Sequence, residues 1–186
     1  IGISIAIGFE YFSHHNTVIP KSQLNKFLIF GLIFSVIGAR LYHLLSFLPY
    51  YLQNPIQIIN TRAGGLAIYG ALIFALLYIV LYSKIFKINF LTILNTLAPI
   101  LPLCQSIGRL GNFFNHEIST WWLESILNLC LFFYLRTSPR HSFAKYLIGY
   151  GLIRFFYEFL RSDTWIISGL KIAQLISLIF ILTGIV

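Results

Sequence analysis

Apolar residues run through this chain in long unbroken stretches, and the polar residues gather in the short gaps between them. Seven such stretches cover residues 1–12, 26–48, 64–83, 88–107, 120–135, 146–160 and 166–186. The complete ones approach the length of about 20 residues that a helix needs to cross the hydrocarbon core. They are continuously apolar and do not alternate, which predicts helices and argues against a barrel. The expected fold class is all-α: a polytopic membrane helix bundle of about seven transmembrane segments in one integral membrane domain over residues 1–186. The first stretch begins at Ile1, already apolar, in a chain without Met, and reads as the tail of a helix whose start is missing.

Small residues punctuate the second stretch at Gly31, Gly38 and Ala39, a pattern that lets membrane helices pack closely. Gly64-Gly65 opens the third. Pro99 and Pro102 lie inside the fourth, where each lacks a backbone donor, so a kinked helix is expected there. Composition sharpens the class, since 58% hydrophobic and 10% charged residues exclude an ordinary soluble domain. A net charge of +8 would suggest nucleic acid in a soluble protein. Here the basic residues sit mostly in the short gaps, so the lipid bilayer is the expected partner, with no nucleic acid. Cys104 and Cys130 fall inside apolar stretches, where small buried thiols are expected in place of a disulfide or a metal site, and no cofactor is expected.

The basic residues also orient the segments. One side of the seven-segment arrangement receives Lys21, Lys26, Lys84, Lys87, Arg136, Arg140 and Lys145; the other receives Arg62, Arg109, Arg161 and Lys171. The richer side is cytoplasmic by the positive-inside rule. This places the N-terminus outside and gathers Gly64 to Tyr69, Arg109 to Glu117, Glu124, Arg154 and Arg161 toward the outer half of the bilayer.

Those residues carry the chemistry. Gly108-Arg109-Leu110-Gly111-Asn112-Phe113-Phe114-Asn115-His116-Glu117 packs ionisable and amide groups into ten residues of an otherwise apolar chain. Polar groups at membrane depth are costly and mark a functional site by default. In the sixth stretch Tyr150, Arg154, Glu158 and Arg161 recur at offsets of four, four and three, so they share one helical face. Such a stripe must look into the bundle or into water. Arg154 and Glu158 also form an i, i+4 pair that could simply hold helices together.

Both stretches resemble motifs of the prolipoprotein diacylglyceryl transferases, bacterial integral membrane enzymes that attach diacylglycerol to a lipoprotein cysteine. The first is similar to Gly-Arg-x-Gly-Asn-Phe-x-Asn-x-Glu and the second to Tyr-Gly-x-x-Arg-x-x-x-Glu-Phe-x-Arg, at every fixed position. Gly38-Ala39-Arg40-Leu41 and the stretch from Ile167 to Ile176 with Gln174 are softer likenesses, with Arg40 read as a structural partner for a carboxylate. The resemblance implies transfer of diacylglycerol from phosphatidylglycerol to the thiol of a lipobox cysteine, with glycerol phosphate leaving. It implies a multi-pass protein of the bacterial cytoplasmic (inner) membrane whose site faces outward, with phosphatidylglycerol and the prolipoprotein lipobox peptide as partners.

The resemblance also assigns roles. Arg109, Arg154, Glu158 and Tyr69 stand at catalytic positions, and Arg109, Asn112, Asn115, Glu117, Tyr150 and Arg161 at substrate-binding ones. Guanidinium groups suit phosphate because they are permanently charged and bidentate. Glu158 is expected to orient Arg154, and Glu117 or Glu158 to orient the arginines or accept the thiol proton. Two departures stand out. The family follows its Gly-Gly element with an essential histidine where this chain has Tyr69, and a phenol, with a pKa near 10 in model peptides, is a poor base at neutral pH. His116 is a candidate substitute. Between Glu117 and Glu124 the family's extracytoplasmic head segment is reduced to Ile118 to Leu123, and Trp121-Trp122-Leu123-Glu124 retains only the end of the element that follows it. The alternative reading is a catalytically inactive relative that binds phospholipid in the same cavity.

Overall fold

The computed structural model describes residues 2–60, 64–115, 120–160, 166–167 and 170–185. They form nine α-helices, two short 3-10 turns and one antiparallel pair of two-residue strands. The chain divides into two compact units, one built from Ile19–Ile93 and the other from Ile1–Val18 with Leu94–Val186.

The first of these is a helical hairpin. Its helix α2 spans Lys21–Ser46, the short α3 spans Leu48–Gln53, and α4 spans Ile68–Phe86. As the small residues foretold, α2 and α4 meet backbone to backbone: a Cβ on Gly38 would run into Phe74 and the Gly70 carbonyl, and one on Gly70 into the Gly38 carbonyl. Toward the other end Phe27, Tyr78 and Tyr82 pack ring on ring, and Tyr82 Oη donates to Gln23 Oε1 at 3.0 Å. Helix α4 stops where Lys87 turns left-handed (φ 55°), and Asn89 Oδ1 then accepts from the Leu91 and Thr92 amides to start α5, Phe90–Leu97. Away from the crossing, Ile29, Phe30, Ile33 and Ile37 on α2 and Leu72, Ile73, Leu76 and Leu77 on α4 are exposed. An apolar surface of that extent suits hydrocarbon and not water.

The other unit holds α1 (Gly2–His15), α6 (Ile100–Phe114), α7 (Trp121–Thr137), α8 (Ser142–Tyr157) and α9 (Ile172–Ile185). The two prolines act differently from one continuous kink. The helix breaks between Leu97 and Ile100 at Pro99, whereas Pro102 sits in the first turn of α6, where its missing N–H would have had no helical partner. Ala98, at the break, is fully buried with Leu131, Leu135, Tyr146 and Leu147. Asn95 Oδ1 accepts from the Phe143 amide at 2.9 Å and ties the start of α8 to this corner. Glycine again sets close packing, since a Cβ on Gly151 of α8 would stand 2.9 Å from the Ser177 carbonyl of α9.

Among the described residues three helical spans, Lys21–Ser46, Ile68–Phe86 and Phe90–Phe114, are long and apolar enough to cross a membrane. Three expectations are corrected. The last helix begins at Ile172 and not at Ile166, because Ile166–Ile167 pairs with Leu170–Lys171 as β1 and β2 first. Cys130 is exposed on α7, so its thiol faces away from the bundle; Cys104 is half-buried, with Sγ 3.2 Å from the Ser4 carbonyl. The loop at 49–62 contains α3 and a 3-10 turn at Pro55–Ile58.

Candidate functional site

The signature Gly108 to Phe114 is helical, forming the last two turns of α6, with Asn115 as its cap. Gln105, Arg109 and Asn112 therefore fall at spacings of four and three on one face. Helix α7 supplies Glu124 and Asn128, one turn apart and both essentially without solvent exposure. Helix α8 supplies Arg154, and the 3-10 turn that ends it, Glu158–Leu160, supplies Glu158.

These side chains form a line of alternating charge. Arg109 Nη2 donates to Glu124 Oε1 at 2.7 Å. The other oxygen of Glu124 lies 4.0 Å from Arg154 Nη1, and Arg154 Nη2 lies 2.8 Å from Glu158 Oε2. Glu124 and Glu158 are each 1% exposed. A buried carboxylate without a cation is strongly destabilising, so the two pairs account for one another. The surroundings fix them further. Asn128 Nδ2 donates to the Glu124 carbonyl at 2.9 Å, Ser125 Oγ to the Ser106 carbonyl at 2.9 Å, and Lys171 Nζ to the Glu158 carbonyl at 2.6 Å.

The line is not saturated. Asn112 Nδ2, Glu124 Oε2 and Arg154 Nη1 are buried atoms without a hydrogen-bond partner among the described residues, as are Gln105 Oε1, Asn128 Oδ1 and Gln174 Nε2; Glu158 Oε2 has the ion-pair contact with Arg154 Nη2. Buried groups left unpaired cost roughly 1–3 kcal/mol each. All of them belong to one unit.

Of the residues singled out in the sequence, Arg109, Arg154 and Glu158 are brought together, with Asn112 on the face of Arg109. Tyr150 lies lower on α8, its ring stacked on Tyr146 at 5.6 Å and against Phe180, within the apolar core. Asn115 is exposed at the α6 cap, one turn past Gly111. Tyr69 belongs to the other unit, in the first turn of α4, 45% exposed, its ring 6.3 Å from that of Tyr42. Glu117, Arg161 and His116 lie outside the described residues. The expected carboxylate partner of Arg40 is corrected: its guanidinium binds the backbone carbonyls of Gln57, Ile58, Asn60, Gly64 and Gly65, and sits 5.2 Å from the Tyr51 ring.

The residue that sequence reasoning passed over is Glu124. It had been noticed as a leftover of a family element, but not as the partner of both arginines. Its signal was the spacing: a carboxylate and an amide four apart in an apolar helix share a face, as Arg109 and Gln105 do. Among the described residues no group of His, Cys, Asp and Glu could hold a metal ion.

Comparison with known proteins gives the family. The family model for prolipoprotein diacylglyceryl transferase matches residues 1–123 and 119–186. The chain is 37% identical over 221 aligned residues to the phosphatidylglycerol-prolipoprotein diacylglyceryl transferase of Clostridium novyi, covering 100% of this chain and 86% of that protein. It is 33% identical to the protein of the same name from Bacillus cytotoxicus (90% and 76% covered), and 33% identical to that from Staphylococcus haemolyticus (100% and 81%). The two matched ranges overlap at residues 119–123.

Proposed function

Since the chain belongs to the prolipoprotein diacylglyceryl transferase family, we propose that it moves the diacylglyceryl group of phosphatidylglycerol onto the thiol of a lipobox cysteine in exported prolipoproteins. The S–C bond forms as the bond between the glycerol carbon and the phosphate oxygen breaks; the electron pair of the broken bond stays on the departing glycerol phosphate, which takes up the thiol proton by the end of the step. Negative charge therefore grows on that phosphate, and preorganised donors in a site of low dielectric stabilise it most at that moment. The observation that carries this reading is Arg154 Nη1, a buried donor of a permanent cation with no hydrogen bond among the described residues, beside the Arg109–Glu124 pair.

In this reading Arg109 and Arg154 bind the phosphate, Glu158 orients Arg154, and Asn112 donates its amide to a headgroup oxygen. By their motif positions Asn115, Glu117, Tyr150 and Arg161 are assigned to substrate binding, and Tyr69 is the residue that stands where the family has histidine. Seven membrane segments in the bacterial cytoplasmic membrane, with the site toward the outer face, complete the proposal. Tyr69 also favours a second reading, a relative that binds phospholipid without turning it over. Incubating the purified chain in detergent with phosphatidylglycerol and a lipobox peptide, and weighing the peptide, separates the two. A diacylglyceryl mass gain on the cysteine is expected. An unmodified peptide with phosphatidylglycerol retained on the protein supports the binding-only reading.

A further inference from the structure

Glu124 is the group that the two arginines of the site have in common. Its Oε1 faces Arg109 of α6 at 2.7 Å and its Oε2 faces Arg154 of α8 at 4.0 Å. Arg154 already has Glu158 at 2.8 Å, so Glu124 is not needed merely to neutralise it. Nor is the carboxylate loosely placed. It is 1% exposed, its own carbonyl is bonded by the fully buried Asn128, and the next residue, Ser125, clamps α7 to the Ser106 carbonyl of α6. It also lies near the N-terminal end of α7, where the helix dipole favours negative charge.

Two guanidiniums at one buried site repel each other, and an anion fixed between them sets both their separation and their direction. From this we propose that Glu124 is a positioning residue that holds Arg109 and Arg154 as a single clamp for the phosphate of the lipid, an inference that rests on the transferase reading above. The donors it leaves uncommitted, Arg154 Nη1 among them, are those available to phosphate oxygens. Holding donors in place ahead of the reaction matters most when charge develops on the phosphate, so the effect falls on turnover and not on capture of the lipid.

The test uses the full chain in detergent, with phosphatidylglycerol titrated at saturating lipobox peptide, for wild type, Glu124→Gln and Glu124→Asp. Glutamine keeps the shape and an acceptor for Arg109 but removes the charge, and kcat is expected to fall roughly 10- to 100-fold while KM for phosphatidylglycerol stays within about threefold. Aspartate keeps the charge but withdraws it from both arginines, and a smaller fall in kcat at similar KM is expected. It also serves as the deciding variant if the glutamine form does not fold. A rise in KM at unchanged kcat overturns the inference, because it would make Glu124 a contributor to ground-state binding only. Wild-type kcat in every folded variant overturns it too, while leaving the transferase reading intact. A wild-type chain that transfers nothing overturns both.

Discussion

Arg40 and Arg154 both sit on apolar helices with largely buried guanidiniums, and they use their N–H groups in opposite ways. The five donors of Arg40 go to five backbone carbonyls of the segment before α4, from Gln57 to Gly65. Two of those carbonyls belong to Gly64 and Gly65, which adopt φ of 91° and 75°, a backbone that other residues rarely take. This cation is saturated and holds a loop. Arg154 meets only carboxylates, one at 2.8 Å and one at 4.0 Å, and keeps a buried donor unbonded among the described residues. A permanent charge in a membrane helix is therefore not by itself a sign of catalysis; what distinguishes the two arginines is whether their donors are already spoken for.

The comparison can be broken most sharply at Arg154. Arg154→Ala is expected to lower turnover per folded molecule by about 10²- to 10³-fold, the usual effect of removing a donor to developing charge, and also to lower the melting temperature, because the buried Glu158 carboxylate loses its cation. Arg40→Ala should cost stability without the loss of turnover. Five carbonyls lose a charged donor, so a destabilisation of about 3 kcal/mol, seen as a fall of roughly 5–10 °C in melting temperature, is expected, and Arg40→Lys should recover part of it. The folded fraction of either variant should keep turnover close to wild type. A thermal scan in detergent alongside the peptide assay checks both. Next in size is Gly38→Val, which forces a branched side chain into Phe74 and the Gly70 carbonyl and should cost about 1–3 kcal/mol of stability, measured by the same scan. The smallest effect is expected at Tyr69→Phe, which removes one neutral hydrogen-bond donor and should slow transfer by no more than about tenfold.

Much of the helical framework was legible because hydrocarbon imposes a simple rule: a run of apolar side chains long enough to span must be helical to satisfy its own backbone. The Gly38 crossing followed from residue size, and the break before α6 from the missing donor of Pro99. The C-terminal run was harder, because apolar residues continue on both sides of Ser168-Gly169, and that turn-type dipeptide is the local sign that the helix does not start at Ile166. Arg154 and Glu158 were legible as a pair, being one turn apart on the same helix. Glu124 was not, since its partners lie 15 residues before and 30 residues after it, on other helices. Arg40 misled for a different reason: side-chain patterns suggest side-chain partners, whereas its own are carbonyls, which every residue carries.

The central claim is that unsaturated guanidiniums, and not buried arginines in general, make this a transferase site. Diacylglyceryl transfer to a lipobox peptide, compared among wild type, Arg154→Ala and Arg40→Lys at equal amounts of folded protein, tests it most directly. The expected result is a peptide mass gain with wild type and with Arg40→Lys, and essentially none with Arg154→Ala. Transfer by Arg154→Ala at the wild-type rate would contradict the account.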